Sequence, residues 1–372
     1  MLAVLPLLVA CGQREAATNT NYGSEHVDFS HAKGIELITH PSGWIEVNIR
    51  NPWDTTRLLQ KLALMKRGDT ITADIPGGIV MLTVPLEKIL VQSTVHVGLF
   101  EEIHAAEAIA GVSEAAFIRS EAIKEAIREG KVKDCGSWMS PDLEQIIALD
   151  PEAVFISPYE KGGTYGHLTE LGIPLVYVAD YMESDPLGRA EWIKYYGLLL
   201  GREGTADSLF SSIENLYNAL SSQADSLMML KGAKSVLMDL PFQGSWYVPG
   251  EGTSNDWLIR AAGGENPMAS MARGKIIPAS NEQVIARGID SDTWIIRLND
   301  ERDITMRNIV ADYPFVSHFK AYADSNIWVC NTNKTDYYEE APFHPERVLD
   351  DLVKILYYAG REDSLRYFHR IR

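Results

Sequence analysis

The sequence lacks both an excess of positive charge and long apolar runs. It contains 34 lysines and arginines against 51 aspartates and glutamates, which gives a formal net charge of −17 at pH 7. A chain this acidic is repelled by the phosphate backbone of nucleic acids. No apolar run reaches the roughly 18 residues needed for a transmembrane helix. We therefore predict neither a nucleic-acid partner nor a membrane-spanning segment.

Motifs for catalysis and for bare metal ions are also missing. The chain has no G-x-S-x-G, no P-loop and no G-x-G-x-x-G after a strand. Its nine histidines are scattered without ligand spacing, which disfavours direct binding of zinc or manganese. Two of its three cysteines, Cys135 and Cys330, lie far apart, and we expect each to be a free, buried or half-buried thiol. The sequence predicts no metal site and no catalytic residue.

The N-terminus carries a lipoprotein signature. An apolar segment at residues 1–10 ends in Leu8-Val9-Ala10 before Cys11, which matches the bacterial lipobox. We predict a signal peptide at 1–10, a lipid on Cys11 as the only covalently bound group, and a polar, flexible tether at 11–30. The alternative is a buried helix with an incidental cysteine. The lipid would anchor the protein to a membrane of the cell envelope, facing the periplasm.

A long amphipathic segment at residues 205–230 divides the rest of the chain. It is predicted to form one helix capped by Thr205, with a buried face made of Leu209, Ile213, Leu216, Leu220 and Leu227. The segment EQIIALDPEAVFIS before it resembles EQVIARGIDSDTWIIR after it, and each is typical of a short helix, a turn and a buried strand. The pattern predicts an α/β fold of two Rossmann-like lobes joined by a single long rigid helix.

Further patterns predict how the chain is divided. Residues 35–49 alternate like two strands around a turn at 40–43, and more strands are predicted at 58–65 and 70–75. In the first lobe, residues 99–111 are predicted to be helical. The predicted order is a β-rich extension at 31–84, an N-terminal α/β lobe at 85–185, linking helices at 186–231 and a C-terminal α/β lobe at 232–372.

Over residues 85–372 the chain resembles the substrate-binding proteins of metal-chelate ABC importers. The resemblance rests on the ordered segments GSWMSPDLEQIIALDPEAVFIS, GIPLVYV, GSWYVPGEGTSNDWLIRAAGGEN and EQVIARGIDSDTWII. It implies a monomer that binds a ferric siderophore, haem or cobalamin between its lobes and works with an ABC permease and ATPase. It also implies that Glu144 and Glu282 dock onto permease arginines. Their position in a first helical turn is favourable for a carboxylate in any protein, which is the alternative interpretation.

Metal chelates offer a large, partly apolar surface, so the resemblance implies an aromatic-walled site with a few polar anchors. The predicted ligand-binding residues are Trp138, Tyr159, Trp246, Tyr247, His96, Tyr338 and Arg297. The alternative for each aromatic residue is a place in the core. A siderophore-type ligand is favoured over cobalamin, because Ile276-Ile277-Pro278 stands where cobalamin binders carry a second tryptophan.

Two other functions stay open at this point. An envelope lipoprotein could bind the same kind of ligand for a sensor or a surface uptake system. A two-lobed α/β protein could also be an enzyme, such as a nitrogenase-like component or a chelatase, but the sequence has no cysteine set for a cluster. We expect a binding protein and not an enzyme.

Overall fold

The fold is described from a computed structural model. It describes residues 25–27, 29–54, 56–69, 75–159, 166–358 and 362–372. The predicted signal peptide, the lipid site at Cys11, most of the predicted tether and the strand predicted at 70–75, apart from its last residue, lie outside these ranges. Within them, no helix is both long enough and apolar enough to cross a membrane.

The N-terminal extension is a five-stranded sheet, and the strands predicted within 35–49 and at 58–65 are three of its five strands. Its strands are β1 (Glu25–Val27), β2 (Ile35–Thr39), β3 (Ile45–Arg50), β4 (Leu58–Lys66) and β5 (Val80–Val84), in that spatial order. The first four run antiparallel and β5 pairs parallel to β4. The predicted turn joins β2 to β3, where Gly43 takes a left-handed φ of 93°.

The first lobe is a parallel five-stranded sheet with helical crossovers. Its elements are β6 (Ile89–Val91), α1 (Thr94–Glu102), β7 (Ile109–Val112), α2 (Glu121–Arg128), β8 (Lys133–Asp134), α3 (Leu143–Leu149), β9 (Ala153–Ile156), α4 (Gly166–Glu170) and β10 (Leu175–Tyr177). The strand order is β10-β9-β6-β7-β8. Because β6 and β9 lie inside the sheet, every residue of both strands is buried.

The helix predicted at 99–111 is wrong beyond Glu102. The chain leaves α1 through His104, whose φ is 58°, and residues 109–112 form β7 instead. A Cβ at Gly111 would lie 2.7 Å from the tip of the Leu149 side chain, so this side chain of α3 packs directly against the β7 backbone. The local pattern is compatible with a helix, but pairing with β6 and packing under α3 make it a strand.

Two helices connect the lobes. They are α5 (Pro186–Leu200) and the long α6 (Glu203–Lys231), whose 29 residues span about 40 Å. The single long helix is confirmed, but it begins at Glu203, and the predicted cap Thr205 lies inside it. The predicted buried face is also shifted, because Leu216 is 51% exposed. The residues of α6 that are buried are Ala206, Phe210, Ile213, Tyr217 and Ala224.

The second lobe is another α/β unit built around a five-stranded sheet. Its elements are β11 (Lys234–Met238), β12 (Trp246–Pro249), α7 (Ser254–Ala261), β13 (Gly264–Glu265), β14 (Ile276–Ala279), α8 (Asn281–Gly288), β15 (Thr293–Leu298), α9 (Met306–Asp312), α10 (Lys320–Ala323), β16 (Ile327–Asn331), α11 (Tyr337–Glu340), α12 (Pro345–Tyr357) and β17 (His369–Arg370). The main sheet has the order β13-β11-β15-β16-β17, and β12 and β14 form a separate antiparallel pair. The predicted repeat is confirmed, since α3–β9 and α8–β15 are each a short helix followed by a buried strand.

The extension is attached to the first lobe and to α5 by polar contacts. The Glu191 carboxylate on α5 accepts hydrogen bonds from the backbone N–H groups of Ser30, His31 and Ala32 at 2.9, 2.7 and 2.9 Å. The side-chain amide of Gln60 on β4 bonds the open edge of β10. The extension therefore covers an edge that would otherwise offer free backbone groups.

The two cysteines in the described residues are separate buried thiols, as predicted. Burial raises the pKa of Cys135 to about 12 and that of Cys330 to about 11. Neither is therefore a reactive thiolate at neutral pH.

Candidate ligand-binding site

The carboxyl ends of the first lobe's strands surround a cavity of about 360 Å³, here called the aromatic cavity. In a parallel sheet this edge is where ligands bind, because the loops that follow the strands converge there. The cavity is lined by the residues that follow β6, β7, β8 and β9, which are Gln92, Ser93, Thr94, Glu114, Phe117, Trp138, Ser157 and Tyr159. Its wall is aromatic, and its polar groups are mostly neutral.

Trp138 and Tyr159 form an open aromatic surface in this cavity. Their rings stack with centroids 5.4 Å apart and an angle of 23° between planes. They are 42% and 44% exposed, so the pair presents free ring surface instead of filling a core. The backbone N–H of Trp138 donates to the Glu114 carboxylate at 3.1 Å, which fixes the loop. The structure thus brings together two of the predicted ligand-binding residues.

Phe117 and Glu114 belong to the same cavity and were missed in the sequence. Phe117 is a largely exposed aromatic residue, and Glu114 takes a left-handed φ of 56°. Both follow β7, so the signal that identified Trp138 and Tyr159 applies to them as well. Assigning residues 109–111 to a helix concealed that signal.

The second lobe and α5 enclose a smaller cavity of about 200 Å³, here called the arginine cavity. It contains two further predicted residues, Tyr338 and Arg297. The Arg297 guanidinium is held in a two-pronged pair with Asp239, with Nε–Oδ1 at 3.0 Å and Nη2–Oδ2 at 2.5 Å. Its third nitrogen, Nη1, donates to Asn255 at 3.1 Å. Because every guanidinium nitrogen has a partner, Arg297 is not the free anion anchor that was predicted.

The prediction that Trp246 lines the site is wrong. This side chain is completely buried; its ring stacks on Trp294 with centroids 5.7 Å apart, and its indole N–H donates to the Met238 carbonyl at 3.1 Å. Successive residues of a strand face opposite sides, so the burial of Trp246 turns Tyr247 outward. Tyr247 is exposed, but it is not among the residues that line these cavities.

The prediction for His96 is also wrong, because the ring lies in the core beneath the cleft. It is 3% exposed, and its Nε2 is 3.0 Å from the Asp180 carboxylate and 3.1 Å from the Tyr196 hydroxyl. Asp180 also accepts from Arg189 Nε at 3.0 Å. Burial alone would raise the pKa of Asp180, but the neighbouring His96 and Arg189 outweigh it and hold that pKa well below its ordinary value.

The lobes meet at a third cavity of about 400 Å³, here called the seam cavity. Arg119 of the first lobe donates to the carbonyl oxygens of Thr332 and Asn333 in the second lobe at 3.0 and 2.9 Å. Beside it, Nε2 of His344 on the second lobe is 2.6 Å from the carboxylate of Glu102. These polar contacts between distant parts of the chain join the lobes.

The seam cavity shares an element with each of the other two cavities. Thr94 at the start of α1 lines both the aromatic cavity and the seam cavity. Helix α11 contributes Tyr337 and Tyr338 to the arginine cavity and Glu339 and Glu340 to the seam cavity. Together the cavities mark the cleft between the lobes. Within the described residues, no group of three or more His, Cys, Asp or Glu side chains could hold a metal ion.

Glu144 and Glu282 lie at matching places outside these cavities. Both are exposed and stand in the first turns of α3 and α8. Helix α3 is capped by Asp142 and α8 by Ser280. A hydrogen bond from Ser280 lowers the pKa of Glu282, so this carboxylate stays ionised. The geometry is that of two equivalent surface carboxylates, one on each lobe.

Comparison with known proteins identifies the family. The profile of the periplasmic binding protein family matches residues 89–333, which include both lobes and the linking helices. The chain belongs to the periplasmic binding protein family. Like its relatives, this periplasmic binding protein is a solute-binding protein and not an enzyme, as predicted. Members of the family bind small molecules and work with the permease and ATPase components of ABC transporters, and membership indicates an envelope location.

Individual relatives agree with this assignment. An uncharacterised lipoprotein of Methanocaldococcus jannaschii is 24% identical over 353 residues, covering 88% of this chain and 81% of its own length. A periplasmic haem-binding protein of Pseudomonas aeruginosa has a TM-score of 0.59 at 16% identity, covering 77% of this chain and 98% of that one. A molybdate periplasmic binding protein of a Haemophilus influenzae ABC transporter has a TM-score of 0.57 at 16% identity, covering 76% and 89%. The solved structures confirm the two-lobed fold.

Proposed function

We propose that this periplasmic binding protein is the ligand-binding component of an ABC importer and binds an iron–siderophore-type metal chelate in the cleft between its lobes. The observation that carries the proposal is the stacked, half-exposed pair of Trp138 and Tyr159 in the aromatic cavity. An exposed aromatic pair in a concave site loses unfavourable contact with water when a ligand covers it. A bare ion would not need such a surface, whereas the apolar periphery of a chelate would.

The polar groups of the aromatic cavity suit the same class of ligand. Gln92 and Ser157 are tied to each other, with Ser157 N–H donating to the Gln92 side chain at 2.7 Å. The remaining polar lining consists of hydroxyl groups and the single carboxylate of Glu114. A few fixed polar groups in an apolar wall orient a ligand without requiring it to carry a particular charge. The related folds that bind haem and molybdate show that the fold alone does not select the ligand.

Delivery to the membrane is the second part of the proposal. We propose that Glu144 and Glu282 contact arginines of the permease, since both are exposed, ionisable and matched between the lobes. Paired surface charges of this kind set the orientation of a partner more than they add affinity. A lipid on Cys11 would hold the protein at the membrane, where the permease lies.

A fluorescence titration of the full chain tests the ligand class. The probes are a ferric trihydroxamate, the same trihydroxamate without iron, haem and cyanocobalamin, each corrected for its own absorption. We expect the ferric chelate to quench tryptophan fluorescence saturably, and the metal-free form to bind more weakly. Trp138→Ala should remove most of the quenching, whereas Trp53→Ala on the extension should not.

Two results would contradict the proposal. If ferric chelates of the hydroxamate, catecholate and carboxylate classes all fail to bind, the ligand class is wrong, and tight binding of haem or cobalamin would replace it. If a ferric chelate binds with the same affinity to the wild type and to Trp138→Ala, the chelate does not occupy the aromatic cavity.

A further inference from the structure

A short segment of the extension lies against the helices that connect the lobes. Residues 30–34, here called the strap, lead into β2, and their five consecutive backbone N–H groups all donate to two carboxylates. Three of these groups donate to Glu191 in α5. The other two, from Lys33 and Gly34, donate at 2.9 and 2.7 Å to Glu183, just before α5. The strap lies outside the part of the chain that matches the family profile.

Both carboxylates are held in place to receive these N–H groups. Glu191 is completely buried, and Lys194 on the next turn of α5 donates to it at 3.1 Å. Burial alone would raise the pKa of Glu191, but the hydrogen bonds from the strap backbone outweigh it and hold that pKa below its ordinary value. At Glu183, which also accepts from the indole N–H of Trp192 at 3.1 Å, burial outweighs the hydrogen bonds and raises the pKa. Hydrogen bonds to an ionised acceptor are roughly twice as strong as those between neutral groups, so Glu191 attaches the strap firmly to α5.

The strap contacts both linking helices directly. A Cβ added at Gly188 in α5 would lie 2.9 Å from the backbone carbonyl oxygen of His31, so a side chain there would push the strap away from the helix. The His31 ring lies between Asp185, the N-cap of α5, with Nδ1–Oδ2 at 3.5 Å, and Glu214 of α6, with Nε2–Oε1 at 2.8 Å. The same ring packs edge-on near Phe210 of α6, with centroids 6.2 Å apart. The strap therefore joins α5 to α6.

The strap is also fixed to the extension sheet and, through that sheet, to the first lobe. The backbone N–H of Arg50 at the end of β3 donates to the Gly34 carbonyl at 2.8 Å. The sheet is held on the first lobe by Gln60 at the edge of β10 and by Arg67, which donates to Glu152 at 2.7 Å. Helices α5 and α6 carry the chain from the first lobe to the second. A contact that joins both helices to the first lobe therefore fixes the direction in which the second lobe projects.

We propose that the strap is a positioning element of the cleft, which sets the angle between the lobes and, through that angle, the affinity for the ligand. Its positioning residues are Glu183, Gly188 and Glu191, and none of them lines the three cavities. When only a fraction of the molecules has the binding-competent arrangement, the apparent affinity is reduced by that fraction. Releasing the strap should therefore weaken binding without removing a contact to the ligand. The effect on affinity rests on the proposed function, whereas the effect on the angle does not.

A double variant removes the charges that hold the strap. Glu183→Gln combined with Glu191→Gln keeps the size of both acceptors. The matched control is Glu152→Gln, because this carboxylate also accepts backbone N–H groups, from Glu87 and Lys88 at 2.6 and 3.3 Å, but does so away from the linking helices. Faster deuterium exchange of the strap N–H groups in the double variant, and not in the control, verifies that the strap is released.

A second variant displaces the strap while favouring the helix beneath it. Gly188→Ala places a methyl group against the strap backbone, and alanine is a better helix former than glycine. The matched control is Gly204→Ala in α6, where an added Cβ would meet no atom within 4 Å. Because the helix itself gains, Gly188→Ala keeps the test valid if the double variant does not fold.

The first measurement needs no ligand. Spin labels at Ala122→Cys in α2 and Ala311→Cys in α9, both exposed positions, report the distance between the lobes by electron–electron double resonance. A Cys11→Ala background leaves Cys135 and Cys330, which are buried, as the other cysteines. We expect one narrow distance distribution with the intact strap and with both controls, and a displaced or at least twofold wider one in both strap variants. An unchanged distribution in variants whose strap N–H groups exchange faster would overturn the proposal.

The second measurement is stopped-flow tryptophan fluorescence with a ferric trihydroxamate. Release of the strap should lower the association rate constant about fivefold and leave the dissociation rate constant within twofold, because the bound arrangement is the same. Faster dissociation with unchanged association would mean that the variants damage the site itself, and would overturn the effect on affinity. If the trihydroxamate does not bind the wild type, the ligand class in the proposed function is wrong, and the distance measurement alone decides whether the strap sets the angle.

Discussion

Trp138 and Trp246 both follow a glycine and a serine in the sequence Gly-Ser-Trp, but replacing them should change different quantities. Replacing Trp246 should lower the stability of the fold, whereas replacing Trp138 should mainly lower the affinity for the ligand. Trp246→Ala empties a site that is completely buried against Trp294 and Phe319. Large-to-small changes of this kind remove about 3–5 kcal/mol from the free energy of unfolding. Trp246 does not line the three cavities of the cleft, so ligand affinity per folded molecule should stay close to wild type.

Trp138→Ala removes a ring that is 42% exposed and contacts Tyr159. Losing the stacked contact should lower the free energy of unfolding by about 1 kcal/mol. If the ring forms the wall of the ligand site, its removal should weaken binding by about 2 kcal/mol, which corresponds to a roughly thirtyfold higher Kd. Trp138→Phe should retain most of the affinity, because it keeps an aromatic face.

Denaturant unfolding followed by circular dichroism measures the first quantity, and isothermal titration calorimetry with the ferric trihydroxamate measures the second. Both assays are independent of tryptophan fluorescence, which the substitutions themselves change. A Trp138→Ala protein that loses several kcal/mol of stability while binding normally would refute the assignment of this ring to the ligand site. Normal stability of Trp246→Ala would refute its assignment to the core.

Three further predictions concern the lobe contact, the permease and the membrane. Burial alone would lower the pKa of His344, but hydrogen bonds to Glu102 and a second carboxylate outweigh it and raise that pKa above 6.5. The protonated ring therefore stabilises the fold fully below pH 6.5, and this stabilisation is lost as the pH rises through the folded-state pKa. The loss of thermal stability caused by His344→Gln should be greatest near pH 6 and smaller at pH 8. A loss that is the same at both pH values would contradict this prediction. Replacing both Glu144 and Glu282 by Lys should leave ligand affinity and stability near wild type. It should strongly reduce ligand uptake with the cognate permease, because like charges across an interface cost several kcal/mol. Normal uptake would exclude the docking role. Cys11→Ala should move the protein from the membrane fraction to the soluble fraction with unchanged ligand affinity, and continued membrane association after a salt wash would argue against lipidation.

The architecture could be predicted because its signals are local and occur twice. The sequences around Glu144 and Glu282 each encode a capped first turn, a short helix and an apolar strand, and the two copies lie on either side of one long amphipathic segment. Helical and strand periodicities act over a few residues, so they survive in the sequence. The exposure of both glutamates follows from the same periodicity. Their docking role stays a prediction.

Only the tertiary structure decided which polar and aromatic residues face the cleft. Trp246 and Tyr247 are neighbours on one strand, and packing against the rest of the second lobe determines which of them is buried. The pairing of Asp239 with Arg297 and of Asp180 with Arg189 joins residues 58 and 9 positions apart. No periodic pattern records such contacts, because they depend on how strands and helices are brought together in three dimensions. The sequence by itself therefore determined the two lobes and the helix between them, while the packing of side chains between elements determined the composition of the site.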